Sequence, residues 1–178
     1  MVFLKTIFIF LVTALVYVFL GNNFNQEIII PKESIRFRII ADDNTEASEE
    51  IKFKIKMLIE LELSEILDEK DNFFSFKVKI ENSLKRLENK VNSMLKKEKI
   101  LESVQISYGS HFFPEKFYNG VKYESGFYES LVVILGNGLG NNWWCVLFPP
   151  LCNLENKNYS NEEYKLLVWE IIKKYNKS

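Results

Sequence analysis

The sequence predicts an α+β fold: an N-terminal membrane or signal segment, a strand, two amphipathic helices, a mainly antiparallel sheet and a C-terminal helix. Three observations carry that expectation. Residues Ile35 to Ile39 alternate between apolar and basic side chains with a period of two. Apolar residues from Ile51, and again from Ile80, recur at helical spacing. From Leu101 the period returns to two, until Tyr164 to Ile172 turns helical once more.

The chain has 178 residues, 47% of them apolar and 26% charged, which suits one globular domain plus a leader. Its formal net charge of −1 argues against a nucleic-acid partner, which needs a basic surface. Fifteen Phe and eight Tyr imply a well-filled core. The expected organisation is a signal peptide or membrane anchor over 1–21, a linker over 22–30 and a single exported α+β domain over 31–178.

Ile7 to Leu20, IFIFLVTALVYVFL, is apolar except for Thr13, with Lys5 before it and no further charge until Glu27. Counted from Val2 the stretch is just long enough to span a bilayer, for which roughly 17–25 residues are needed. It equally suits a signal-peptide core, although Phe19-Leu20-Gly21 lacks the usual small-x-small cleavage pattern. Lys5 favours an orientation with the domain outside. The first cysteine is Cys145, so a lipoprotein anchor is excluded.

Ile35, Phe37 and Ile39 share one strand face, and Arg36 and Arg38 share the other, expected to be the wet face. Asp42-Asp43-Asn44-Thr45 ends the strand and supplies N-cap candidates; Glu46, Glu49 and Glu50 suit the start of a helix. That helix carries Ile51, Ile55, Leu58 and Ile59 on one stripe and is expected to reach about Leu67. Alternation over Ile51 to Met57 also resembles a strand, but apolar length and caps decide for helix. A second helix is expected from about Asp71 to Lys97, with Ile80, Leu84, Leu87, Val91 and Met94 on its apolar stripe.

Val104, Ile106 and Tyr108 open the β-rich half, and Asn119-Gly120 signals a type I′ hairpin. Tyr128 to Leu135 ends apolar on both faces, as a doubly covered central strand does. Trp143 to Phe148 reads as a last strand stopped by Pro149. Ser160-Asn161-Glu162-Glu163 is a capping box for the closing helix, which has Trp169 at the edge of its apolar stripe.

The densest stretch is Gly136 to Cys152, GNGLGNNWWCVLFPPLC. Its glycines follow a strand as in a nucleotide loop, but there is no Lys-Ser/Thr and no helix opens after them, so phosphate binding is not expected. Cys145 and Cys152, in an exported chain and flanking a Pro-Pro reversal, permit a disulfide; two buried thiols are the alternative. His111 is the only histidine, and the enzymatic alternative is a secreted enzyme with an unrecognised site, for example a Cys145/His111 thiol hydrolase. No nucleophile elbow, metal-ligand set or cofactor motif is visible, so no catalytic, metal or cofactor residue is assigned.

Two stretches, IRFRIIA over 35–41 and GLGNNWWCVLFPPLC over 138–152, closely resemble the stage II sporulation protein R family. The order of elements agrees over roughly Pro31 to Cys152, including Tyr128-Glu129. Glu124-Ser125-Gly126 and Asp42 depart from the family's usual Pro-Ala-Gly and Asn. The resemblance implies a signalling protein of endospore-forming bacteria rather than an enzyme. It would be exported from the forespore into the space between the forespore and mother-cell membranes, secreted or membrane-tethered. There it would activate a receptor-type membrane aspartic protease, stage II sporulation protein GA, which processes pro-sigma-E. No small-molecule substrate and no cofactor is implied, and membrane association would come only from an uncleaved leader. Trp and Arg are frequent interface anchors, which nominates Arg36, Arg38, Asn142, Trp143, Trp144 and Phe148 for partner binding. Strand alternation sends one tryptophan inward and the other outward.

Overall fold

The structure is a computed structural model and describes residues 5–15, 28–68, 70–152 and 160–175. Residues 5–15 form an exposed apolar helix, α1. The proposed leader extends beyond it into undescribed positions, as do most of the 22–30 linker and the polar link over 153–159. Among the described residues no helix is long and apolar enough to cross a membrane.

The fold is α+β, with strands β1 (Ile28–Ile29), β2 (Ile35–Ile40), β3 (Val104–Phe113), β4 (Lys116–Tyr118), β5 (Val121–Tyr123), β6 (Gly126–Leu135) and β7 (Asn142–Phe148). Helices α2 (Glu46–Ser64) and α3 (Phe73–Lys97) lie between β2 and β3, and α4 (Asn161–Tyr175) closes the chain. The strands form two sheets, ordered β3-β6-β2-β7 and β1-β5-β4. Antiparallel pairing predominates, but β2 with β6 and β1 with β5 run parallel. Parallel partners need long crossovers, and α2, α3 and β3 supply the one between β2 and β6.

Local signals placed the elements well. Thr45 caps α2 by accepting from the Ser48 N–H at 3.3 Å, and Asn72 caps α3 by accepting from Ser75 at 2.9 Å. Ser160 and Glu163 close the capping box of α4. Asn119 and Gly120 both adopt positive φ, 47° and 76°, as the two-residue β4–β5 turn requires. Helix α2 ends at Ser64 rather than near Leu67, and α3 begins after its Asn72 cap.

Helices α2 and α3 cover one face of the larger sheet. Ile51, Ile55, Ile59, Ile80, Leu87 and Val91 meet Phe37, Ile39, Leu131, Val133 and Leu135 in the main core. Glu62, buried in α2, joins the two helices through Lys90 at 3.0 Å and Arg86 at 3.5 Å. On the opposite face, Val146 meets Ile30 just after β1, Val121 of β5, and Tyr164 and Val168 of α4. Both faces of the larger sheet are therefore covered, which overturns the expectation that Arg36 and Arg38 line a wet face. Arg36 is only 2% exposed, and Arg38 is partly buried.

Candidate functional site

The glycine-rich turn before β7 is clamped to the turn after β2. The Asn137 N–H donates to the Asp42 carboxylate at 2.6 Å, and the Leu139 and Gly140 N–H groups donate to the Asp42 and Ala41 carbonyls, each at 2.9 Å. The Asn141 N–H donates to the Asn44 side chain at 2.7 Å, and Lys52 Nζ donates to the Asn141 carbonyl at 3.1 Å. A methyl group at Gly140 would collide with the Asp43 carbonyl. The glycines thus allow two backbone segments to touch, so that β7 starts in register beside β2. Asp42 and Asp43 serve this clamp and the α2 cap, and among the described residues no cluster of three or more His, Cys, Asp or Glu could hold a metal ion.

Strand β7 pairs antiparallel with β2, placing Trp143 opposite Ile39 and Trp144 opposite Arg38. The two tryptophans lie on opposite faces, and both are half-buried rather than one in and one out. Trp143 packs edge-on against Phe37, with centroids 5.4 Å apart, under the Lys56 ammonium at 4.7 Å. Trp144 packs edge-on against Phe113, also at 5.4 Å, with Lys116 5.5 Å from its ring. Phe148 lies in the core against Phe73, Phe76 and Tyr175. It therefore presents no surface, because a side chain packed by three rings cannot also face a partner. Cys145 and Cys152 are joined by a disulfide, with Cα atoms 5.4 Å apart. The Leu151 N–H bonds back to the Val146 carbonyl at 3.0 Å as the chain reverses through Pro149-Pro150.

A cavity of about 240 Å³ opens at the β7 edge, with Arg36, Lys116, Phe113, Tyr123, Asn142 and Trp144 in its wall. The Arg36 guanidinium carbon lies 3.5 Å from the Tyr128 ring centroid, and the rings of Phe113 and Tyr123 are 5.4 and 6.0 Å away. One of its terminal nitrogens donates to the Glu124 carbonyl at 3.3 Å. Burial pulls its pKa below the usual guanidinium value, while Tyr128, Tyr123 and Glu124 oppose the shift. Its Nε, like Arg38 Nε and Trp144 Nε1, is buried without an acceptor among the described residues.

Of the residues nominated from sequence, Arg36, Asn142, Trp143 and Trp144 line one cavity; Arg38 stands beside it over Phe113, and Phe148 is elsewhere. Sequence reasoning missed Lys56, Lys116, Phe113 and Tyr123. Lys116 and Tyr123 flank the hairpin already recognised, but which face that hairpin covers has no local signal.

The pairing of His111 with Cys145 in a thiol hydrolase is overturned. They sit on opposite edge strands, separated by three strand spacings or roughly 14 Å. Cys145 is oxidised, and His111 Nδ1 lies 2.8 Å from Ser130 Oγ. Ser130 is itself fully buried, its hydroxyl facing backbone carbonyls of Gly109 and Tyr128.

A disulfide-closed α+β domain with an aromatic, cationic cavity on a sheet edge is the class that fold and site define. The chain belongs to the stage II sporulation protein R family, whose model matches residues 31–158. It is also similar to the stage II sporulation protein R of Bacillus subtilis (strain 168), with 32% identity over 134 residues. That alignment covers 75% of this chain and spans 60% of the length of the relative. No solved structure matches.

Proposed function

We propose that the protein is an exported sporulation signal, itself not an enzyme, that activates a membrane aspartic protease of the mother cell, stage II sporulation protein GA. Processing of pro-sigma-E would follow. Family membership supports the sporulation role. The observation that carries the docking reading is the placement of Trp143, Trp144 and Asn142 on an edge strand, around a cavity rather than wholly in the core. Aromatic side chains held rigidly by a sheet lose little entropy on binding and make strong interface anchors. A folded domain docked there shifts its receptor toward the active conformation by binding that state more tightly.

The test uses an endospore-forming host lacking its own stage II sporulation protein R and supplied with this chain. Pro-sigma-E processing is followed by immunoblot, and co-purification with the protease is measured in parallel. Trp144→Ala is expected to abolish processing and capture while the purified variant still unfolds cooperatively. Normal processing by a variant lacking both tryptophans would sink the docking assignment. N-terminal sequencing of the exported protein reports whether the leader is removed.

A further inference from the structure

We infer that the cavity at the free edge of β7 receives a carboxylate side chain carried on an extended segment of the partner protein. This deepens the docking reading and rests on it. The first argument is charge. Arg36 and Lys116 face the cavity, no acidic residue lines it, and neither cation takes part in an ion pair among the described residues. Lys56, also in the wall, is paired with Glu60 at 3.6 Å and is not counted. A buried guanidinium ordinarily has a carboxylate beside it. Here the Tyr128 face, the Glu124 carbonyl and the more distant Glu124 carboxylate offset part of the cost, and no carboxylate stands within ion-pair distance among the described residues.

The second argument is hydrogen-bond polarity. Three groups on this face that are unmatched among the described residues, Arg36 Nε, Arg38 Nε and Trp144 Nε1, can only donate. An ionised carboxylate is acceptor-only, and bonds to it are the strong, charge-assisted kind.

The third is backbone. Strand β7 has β2 on one side and no strand on the other among the described residues. The Val146 carbonyl points to that outer side, where it takes the Leu151 N–H. In an antiparallel ladder alternate residues face the same way, so Trp144 and Asn142 also turn their backbone N–H and C=O outward. The Pro-Pro reversal thus covers one end of the edge and, among the described residues, leaves Asn142 to Trp144 unpaired on that side. An extended segment added there sends alternate side chains to the Arg36–Trp144 face and to the Trp143–Lys56 face.

Titration of the full chain with capped octapeptides tests this. They alternate Thr and Val around one central Asp, or one Asn, and are followed by NMR at the Trp144 indole N–H and the Arg36 Nε–H. The Asp peptide should shift both signals and bind at least about tenfold more tightly than the Asn peptide. Lys116→Gln and Arg36→Met should each erase that preference. If Arg36→Met fails to fold, the exposed Lys116→Gln decides. Equal binding of the two peptides, or no shift at either signal, overturns the inference. So does saturation by acetate or inorganic phosphate alone at the peptide's affinity. Equal peptide binding alongside lost signalling in Trp144→Ala would remove the carboxylate while leaving the docking reading intact.

Discussion

The guanidinium carbon of Arg36 lies 3.5 Å from the Tyr128 ring centroid in the larger sheet, with the Tyr123 ring of the smaller sheet 6.0 Å away. A basic residue on an alternating strand has become an interior group, held by aromatic faces and the Glu124 carbonyl, with the Glu124 carboxylate acting on it only from beyond ion-pair distance. Cation–π attraction is strongest where water is excluded. The same exclusion makes the arrangement costly to disturb.

Arg36→Ala should therefore destabilise the domain by about 2 kcal/mol or more, through the lost cation–π contact and packing. Tyr128→Phe keeps the ring but deletes the hydroxyl that donates to the Glu124 carbonyl at 3.0 Å. Its expected loss is smaller, about 1 kcal/mol. Urea unfolding of both variants checks the order, and a larger loss for Tyr128→Phe would contradict it.

Gly140→Ala should cost about 1–3 kcal/mol, because the added methyl meets the Asp43 carbonyl, which cannot swing aside as a side chain can. Gly136, at φ +50° and against the Asp42 side chain, should also resist substitution. Thermal melts of the two alanine variants report this. Wild-type stability in Gly140→Ala would show that the clamp between the two turns yields easily.

Replacing both Cys145 and Cys152 by Ser should lower stability by about 2.5 kcal/mol, the loop-closure entropy for so short a ring. Signalling should survive at temperatures where the variant stays folded, since the bridge braces the strand and is not a nucleophile. Labelling of the untreated wild type by a thiol probe would contradict the bridged state.

At alkaline pH the cluster of Tyr108, Glu129 and Lys77 should weaken the fold. Burial pushes the Tyr108 phenol well above its ordinary range, and the Glu129 carboxylate adds to the shift. The hydrogen bond from Lys77 to Glu129, 2.9 Å long, raises the lysine as well. Both groups hold protons in the folded state that the unfolded chain releases. Their stabilisation is complete below the unfolded values and declines as pH rises past about 10. Urea midpoints measured across that range should fall, and less steeply in Glu129→Gln. An identical slope in the variant would dissociate the effect from this cluster.

Much of the molecule was readable without coordinates because its signals are local. The Thr45 and Ser160 caps, the Asn119-Gly120 turn and the helical stripes each depend on residues within a few positions of one another. Doubly apolar β6 was legible as a central strand, since a side chain's neighbours across a sheet must match it on both faces. The Cys145–Cys152 bridge was open between two alternatives, because spacing permits a bond that only backbone direction completes.

By itself the sequence determined the α+β class, the element order, the family signature at 138–152 and the residues worth suspecting. Tertiary structure alone decided that the basic face of β2 is roofed by a second sheet and that β1 and β5 pair in parallel across a long stretch of chain. It also decided that Lys116 joins Arg36 around Trp144, while Phe148 turns into the core. Periodicity states that a strand has two faces with different chemistry. What covers each face depends on contacts between residues far apart in sequence, and a basic residue is compatible with water or with an aromatic cage.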